Sequence, residues 1–163
     1  MLFDFRSPHA FRPWVSMDDC VMGGHSTSHL IPGQQGTAIY TGMISLENNG
    51  GFASTVAEGQ SYDLSGCEGI ALRVRGDGKT YGFYLRDNSF RVRYQADFTA
   101  PNEQWKTIML PWSAFTPRIF GHTLPVAPSL NRAFITAFGI IIGHEQEGPF
   151  HLEIESISAY QSA

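Results

Sequence analysis

The stretch that decides the fold reads Glu68-Gly69-Ile70-Ala71-Leu72-Arg73-Val74-Arg75, and the turn residues Gly76-Asp77-Gly78 follow it. Large apolar side chains in this stretch alternate with alanine and arginine, which is the period of a half-buried β-strand. The alternation returns in two later segments, first at Tyr81, Phe83 and Leu85 and then at Val92, Tyr94, Ala96 and Phe98. We therefore predict three consecutive strands that form a meander.

Further strands are predicted on both sides of this meander, at residues 38–45, 52–56, 105–110, 134–142 and 150–154. Asn48-Asn49-Gly50-Gly51 is a strong turn signal between the first two of them. Helical periodicity is limited to one turn around Pro111 to Phe115. In the last strand, Ile157 has the opposite parity to Ile154, which predicts a bulge near Glu155-Ser156. About eight short strands separated by turns predict an all-β sandwich or jelly roll.

The composition agrees with a single domain that spans residues 1–163. A chain of this length buries roughly two thirds of its unfolded surface, so its core needs no support from a metal or a disulfide. It contains 17 glycines, 9 prolines, 13% aromatic residues and 16% charged residues. These proportions are typical of a turn-rich globular protein and not of a disordered chain.

Charge and hydropathy argue against several classes of partner. A net charge of -4 and a pI near 5.8 disfavour nucleic acid, whose affinity depends on contacts of Lys and Arg with phosphate. No apolar run approaches the roughly 20 residues that span a bilayer, so we expect no integral membrane protein. The N-terminus has neither a signal nor a transit peptide, and Cys20 and Cys67 lack the density of a secreted disulfide scaffold. We therefore predict a cytoplasmic protein.

The sequence does not match the motifs of cofactor sites, metal sites or catalytic nucleophiles that we compared with it. Gly78-Lys79-Thr80 resembles the end of a phosphate-binding loop, but Arg73 stands where that motif needs its first glycine, and a strand follows instead of a helix. His25 and His29 lie among glycines and serines, so we interpret them as loop histidines and not as metal ligands. The sequence contains no Gly-x-Ser-x-Gly elbow. We predict no cofactor, no metal and no enzymatic activity.

Five of the nine arginines fall in the predicted meander with a parity opposite to its apolar residues, namely Arg73, Arg75, Arg86, Arg91 and Arg93. Tyr84 and Gln95 share this outward parity. One interpretation is a solvated face with cross-strand ion pairs to Asp97, Glu153 and Glu155, although calcium binding by the two glutamates stays open. The other interpretation is a recognition surface whose guanidinium groups bind a polar ligand, an acidic peptide or a partner protein.

Two glycine-centred segments, residues 18–26 and 47–54, complete the candidate binding surface. Paired glycines allow backbone conformations and close approaches that a Cβ forbids. We interpret Asp19 as an acceptor that organises its own loop. Trp14, near this loop, is expected to be exposed, whereas Trp105 is expected to be buried at the start of a strand. The candidate binding residues are Asp19, Met22, Gly23, Gly24, Ser26, Asn49, Arg73, Arg75, Asp77, Tyr84, Arg91, Arg93 and Gln95.

Five segments, taken in order, cover nearly the whole chain and carry a resemblance: residues 21–26, 49–54, 72–79, 105–115 and 148–154. In these segments the chain resembles the family called complex I intermediate-associated protein 30. The resemblance implies a galactose-binding-like jelly-roll β-sandwich, mostly antiparallel. It also implies the role of mitochondrial members, which is non-catalytic assembly of respiratory complex I. The family's Gly-rich loop maps to Val21 to Ser26, and its Arg-Gly-Asp-Gly turn maps to Arg75 to Gly78.

Three functions follow from these observations. The first, which we favour, is a protein-binding assembly domain that holds a partner, such as a respiratory-complex assembly intermediate, through the Gly-rich loop and the arginine face. The second is a carbohydrate- or small-ligand-binding module, because a jelly roll with aromatics near polar loops suits that task. The third is a redox-linked enzyme that uses Cys20, although nothing in the sequence orients a base beside this thiol.

Overall fold

The computed structural model describes residues 1–18, 24–47, 51–89, 92–119, 122–123 and 129–161. Two antiparallel sheets pack face to face, with strands numbered in chain order. The first sheet holds β1 (Phe3–Asp4), β3 (Thr27–Pro32), β4 (Ala38–Ile44), β6 (Gly69–Arg75), β9 (Lys106–Pro111) and β13 (Gly148–Tyr160). Its order is β3-β4-β13-β6-β9, and β1 pairs with β13.

The second sheet holds β2 (Trp14–Ser16), β5 (Ala53–Tyr62), β7 (Thr80–Arg86), β8 (Arg93–Thr99), β10 (Thr116–Ile119), β11 (His122–Thr123) and β12 (Ile135–Ile142). Its order is β11-β10-β8-β7-β12-β5-β2. The short 3-10 helices Pro8–Phe11 and Trp112–Ala114 connect strands, and Trp112–Ala114 lies where the sequence predicts a helical turn. Within the described ranges, no helix is long and apolar enough to cross a membrane.

The core lies between the two sheets and follows the predicted alternation. Ile70, Leu72 and Val74 point inward from β6, while Phe83 and Leu85 point inward from β7. Aromatic rings dominate the centre, where Phe138 of β12 meets Phe3, Tyr62 and Phe83. The all-β jelly-roll sandwich predicted from the sequence is confirmed, and so is the bulge, because the register of β13 shifts between Ile154 and Ser156.

The predicted three-strand meander is wrong for its first strand, whereas its second and third strands, β7 and β8, pair as predicted. β6 pairs with β13 and β9 in the first sheet, whereas β7 pairs with β8 and β12 in the second. The chain crosses from one sheet to the other at residues 76–78, where a Cβ on Gly76 would lie 2.4 Å from the Cβ of Ala100. β4 and β5 also lie in different sheets. Period-2 alternation reports which side chains are buried, but two strands that face each other across the core have the same pattern as two that pair.

The Asp77 carboxylate holds the crossover together. Its Oδ1 accepts the Lys79 backbone N–H at 3.1 Å, and its Oδ2 accepts the Tyr81 hydroxyl at 3.0 Å and the His151 backbone N–H at 2.8 Å. These bonds join the end of β6, the start of β7 and β13. Asp77, which the sequence suggests as a binding residue, therefore has a structural task in both sheets.

Candidate functional site

The outer face of the second sheet carries a cluster of polar side chains that we call the polar face: Tyr84, Arg86, Arg93, Gln95, Asp97 and Arg118. The sheet register brings them together. Gln95 of β8 lies opposite Tyr84 of β7 on one side and Thr116 of β10 on the other. In the next pair, Arg93 lies opposite Arg118. Because alternate residues of a strand point to opposite faces, all of these side chains project away from the core.

Tyr84 forms the floor of the polar face. Only 1% of it is exposed, although it points away from the main core, because it packs with Val56, Ala137 and Ile141 in a second apolar cluster. Burial raises the pKa of the Tyr84 hydroxyl. The guanidinium carbons of Arg93 and Arg86 lie 5.1 Å and 6.0 Å from the centre of its ring, within the range of cation-π attraction.

Gln95 is also buried in this face, with 3% of its surface exposed. Its side chain lies across Gly82, where a Cβ would come within 2.6 Å of Nε2. Nε2 donates to Asp97 Oδ1 at 2.9 Å. Oε1 of Gln95 is buried and has no hydrogen-bond partner among the described residues, and the same holds for Nε of Arg93 and Nε of Arg118. Burial lowers the pKa of Arg93.

Asp97 connects the polar face to the loop before β13. Its Oδ2 lies 3.1 Å from Nε2 of His144 and 3.8 Å from Nη2 of Arg118. With Glu58 of β5, Asp97 supplies two carboxylates on the same face as the guanidinium groups of Arg86, Arg93 and Arg118. The face is therefore locally positive on a chain whose net charge is -4.

A separate groove of about 580 Å³ lies on the outer face of the first sheet. We call it the first-sheet groove. Arg6, Gln34, Gln35, Thr37, Ile39, Arg75, Trp105, Glu153 and Glu155 line it. The Glu153 carboxylate accepts Thr37 Oγ1 at 2.6 Å and both Nε and Nη2 of Arg75. Burial raises the pKa of Glu153, but the hydrogen bonds from Thr37 and Arg75 outweigh it and hold the pKa below its ordinary value.

The structure places the predicted binding residues in three groups. Tyr84, Arg93 and Gln95 come together on the polar face. Arg73 and Arg75 lie on the outer face of the first sheet, where they pair with Glu155 and Glu153, so the predicted single arginine face is divided between two sheets. Gly24 and Ser26 are buried. The Ser26 hydroxyl accepts a hydrogen bond from the Ser45 backbone N–H. Asp19, Met22, Gly23, Asn49 and Arg91 lie outside the described residues, as does Cys20.

Asp18, at the start of the first glycine segment, is buried and connects this segment to both sheets. Its Oδ1 accepts the Ser28 hydroxyl at 2.5 Å and the Ser54 backbone N–H at 3.2 Å, so it links β3 to β5. The two tryptophan predictions are wrong. Trp14 is buried, with 9% exposed, because its ring packs against the rings of Phe3 and Phe5. Trp105 precedes β9 and is half-buried, with the Arg75 guanidinium carbon 5.0 Å from its ring centre.

Sequence reasoning missed Arg118 and His144. Arg118 lies on β10, a four-residue strand without an apolar alternation to mark it. His144 lies in a turn where it and Glu145 have φ values of 58° and 56°. No local signal marks either of them, whereas Gly82 and Gly139 are a signal for the rest of the polar face, because they leave room for the side chains of Gln95 and Tyr84. Among the residues that the structure describes, no three His, Cys, Asp or Glu side chains cluster to hold a metal ion.

Comparison with solved structures shows the same fold. The family 11 carbohydrate-binding module of a Clostridium thermocellum cellulosomal cellulase superposes with a TM-score of 0.76 at 19% identity. The match covers 99% of this chain and 94% of that module. At this identity the likeness concerns the β-sandwich alone.

Comparison with curated proteins finds distant relatives. The mouse mitochondrial complex I intermediate-associated protein 30 is 25% identical over 186 residues, which cover 98% of this chain and 56% of the mouse protein. An uncharacterized Schizosaccharomyces pombe protein is 28% identical over 166 residues, covering 88% of this chain and 76% of the relative. The chain thus spans little more than half the length of the mouse relative.

The predicted cytoplasmic localisation is contradicted by these relatives. The mouse, Drosophila melanogaster and Neurospora crassa proteins are all named as mitochondrial, which points to mitochondria and not to the cytoplasm.

The resemblance seen in the sequence is confirmed by a family comparison that covers nearly the whole chain. The family described as complex I intermediate-associated protein 30 (CIA30) matches residues 3–154. This match includes every strand of the second sheet and therefore the whole polar face. The chain belongs to the complex I intermediate-associated protein 30 family.

Proposed function

We propose that this domain is a non-catalytic protein-binding domain that serves the assembly of respiratory complex I. It holds an acidic segment of its partner on the polar face. Membership of the complex I intermediate-associated protein 30 family supports the assembly role, and the mouse relative carries that name. The guanidinium groups of the polar face support a partner with acidic side chains.

The observation that carries this proposal is a set of three buried atoms that have no hydrogen-bond partner among the described residues, namely Oε1 of Gln95, Nε of Arg93 and Nε of Arg118. A buried polar atom without a hydrogen bond costs about 1 to 3 kcal/mol, and more when it belongs to a charged group. Native proteins keep few such atoms, and their concentration on one face is a sign of a binding site. A partner with carboxylates and backbone amides satisfies both guanidinium donors and the amide oxygen.

Charge favours a protein segment with acidic side chains. Arg93 and Arg118 face each other across β8 and β10, so one carboxylate can contact both guanidinium groups. Burial has already removed much of the water around Arg93, which strengthens a charge-assisted hydrogen bond made there. The Asp97–His144 pair forms the edge of the polar face next to the turn between β12 and β13. This edge limits where the acidic segment can lie.

The test is recovery of complex I subunits from a native mitochondrial extract on the immobilised domain. We expect Arg93→Gln and Arg118→Gln each to lower the recovery at least about tenfold, since truncating a buried charge at an interface costs about 2 to 5 kcal/mol. Arg12→Gln is the matched control, because Arg12 is exposed and lies outside the polar face. Equal recovery by Arg93→Gln, Arg118→Gln and the unsubstituted domain refutes the proposal.

A second candidate function is saccharide binding on the same polar face. It is favoured by the contiguous planar groups of Gln95, Asp97 and His144, which lie on the face that also carries the half-buried Phe52 ring. Planar amide and carboxylate groups hydrogen bond to sugar hydroxyls, and an aromatic ring packs against the apolar side of a sugar. A rise in melting temperature with a neutral oligosaccharide, abolished by Gln95→Leu, would support it. No rise with any member of an oligosaccharide panel would eliminate it.

A further inference from the structure

We propose that the first-sheet groove is a second ligand site, separate from the polar face, which takes a neutral polyhydroxylated ligand of the size of a short saccharide. The groove lies on the opposite outer surface of the sandwich and shares no lining residue with the polar face. Its volume of about 580 Å³ is within the range of small-ligand sites, which is roughly 300 to 1,000 Å³.

The base of the groove is a fixed carboxylate. Glu153 is 8% exposed and sits between Ile39 and Arg75 in the register of the first sheet. Thr37 and Arg75 hold both of its oxygens in place, and its lowered pKa keeps it ionised at neutral pH. An ionised carboxylate has about four lone-pair positions, and Thr37 and Arg75 use three of those on Glu153, so about one remains to accept a hydrogen bond from a ligand hydroxyl.

One wall of the groove is a stacked pair. The Arg75 guanidinium lies over the Trp105 ring at 5.0 Å and is bound to Glu153 at the same time, so its plane is held from two directions. Trp105 itself is half-buried. An ordered guanidinium beside an aromatic ring offers planar donors and an apolar surface together, which is the combination that a sugar ring needs.

The rim comes from the turn between β3 and β4. Gln35 has a φ of 60° and Gly36 a φ of 79°, and Gly36 packs directly on Arg6, where a Cβ would lie 2.6 Å from Cγ. This contact holds the turn against the groove. The side-chain amides of Gln34 and Gln35 make no hydrogen bond to any residue within the described ranges, so both are free to donate and accept.

Charge balance identifies the class of ligand. Each cation that lines the groove is matched by a carboxylate, since Arg75 pairs with Glu153 and Arg6 makes two-point contact with Asp4. Glu155 pairs with Arg73 at 3.6 Å. An anionic ligand would face two carboxylates, and a cationic ligand would compete with Arg75 for the Trp105 ring. A neutral ligand with many hydroxyl groups meets neither penalty.

The experiment is a titration of the isotope-labelled chain with glucose, cellobiose and a mixed-linked β-glucan tetrasaccharide, followed by amide NMR. At about 10 mM saccharide a site with a Kd near 1 mM is mostly filled. We expect saturable shifts of the Trp105 indole N–H and of the Gln34 and Gln35 side-chain amides. Trp105→Ala should weaken binding at least about tenfold, which is the loss of about 1.4 kcal/mol.

Two further variants keep the result decisive. Gln35→Gly removes the rim amide and suits a φ of 60°, so it tests the site even if Trp105→Ala fails to fold. Gln95→Leu alters only the polar face and should leave the groove shifts unchanged. The proposal is overturned if no saccharide shifts the Trp105 and Gln35 signals, or if Gln95→Leu abolishes the shifts. Either result leaves the test of the polar face by protein recovery unaffected.

Discussion

The Tyr84 ring lies flat across Gly139 of the neighbouring strand, so that a Cβ at Gly139 would be 2.0 Å from Tyr84 Cζ. This contact places a large aromatic side chain on the outer face of a sheet and still buries it. It also sets the height of the surface on which Arg93 and Arg86 rest. The shape of the polar face therefore depends on a residue that has no side chain.

Gly139→Ala should destabilise the domain by about 1 to 3 kcal/mol, since the new methyl group must displace the Tyr84 ring from a packed position. Urea denaturation followed by fluorescence measures the change in the free energy of unfolding. Gly66→Ala is the matched control, because a Cβ there meets nothing within 4 Å, and it should change stability by less than about 0.5 kcal/mol. Equal stability of the two variants would show that Tyr84 does not need the space above Gly139.

Gln95→Leu should leave the free energy of unfolding unchanged or raise it by up to about 1 kcal/mol. The substitution removes a buried oxygen that has no hydrogen-bond partner among the described residues, at the cost of one hydrogen bond to Asp97. Recovery of complex I subunits should fall at the same time. A loss of stability greater than about 1 kcal/mol would mean that the Gln95 amide is structural.

Glu153→Gln should lower stability at neutral pH by about 1 to 3 kcal/mol, because hydrogen bonds from Thr37 and Arg75 to a charged group are weakened. The folded-state pKa of Glu153 lies below the unfolded value of 4.5. Its contribution is therefore complete above that value and is lost as the pH falls through the folded-state pKa. Chemical denaturation from neutral to acid pH should show that the free energies of unfolding of Glu153→Gln and of the unsubstituted protein become equal in acid.

Glu155→Gln is the control for this pH dependence. Its pair with Arg73 is exposed and 3.6 Å long, so the substitution should change stability by no more than about 0.5 kcal/mol at any pH. If Glu153→Gln runs parallel to the unsubstituted protein down to acid pH, the carboxylate is not held in its charged form.

Tyr81→Phe should reduce the loss of stability in alkali. Burial raises the pKa of Tyr81 far above the ordinary value of 10.0, and the nearby Asp77 carboxylate raises it further. An unfolded tyrosine loses its proton as the pH passes 10, whereas the folded one keeps it, so this contribution is present below that pH and is lost above it. Unfolding free energies at about pH 8 and pH 11 give the difference.

The same variant should be less stable at about pH 8, by about 1.5 to 3 kcal/mol, because the hydroxyl donates to a charged acceptor. Tyr160→Phe is the comparison, since Tyr160 is half-buried at the end of β13 and has no such partner among the described residues. If the free energy of unfolding of Tyr81→Phe falls between about pH 8 and pH 11 as much as that of the unsubstituted protein, groups other than Tyr81 cause the loss of stability in alkali.

Part of the polar face was visible in the sequence. Tyr84, Arg93 and Gln95 have the parity of outward residues, and alternation places them correctly on one face. Arg73 and Arg75 have the same parity but lie on the other sheet, because the turn at residues 76–78 carries the chain across the core. Arg118 and His144 reach Asp97 only through the pairing of β10 with β8 and the turn before β13, and neither contact has a local signal.

The sequence by itself determined the β-class, the inward-facing residues of the main strands, the bulge in β13 and the family, because these depend on local periodicity and on ordered motifs. The tertiary structure decided which strands share a sheet, and so which charged side chains meet. The reason is physical: side-chain alternation encodes burial at each residue, whereas strand pairing is chosen by contacts between residues far apart in the chain, such as Glu153 with Arg75 and Tyr84 with Gly139.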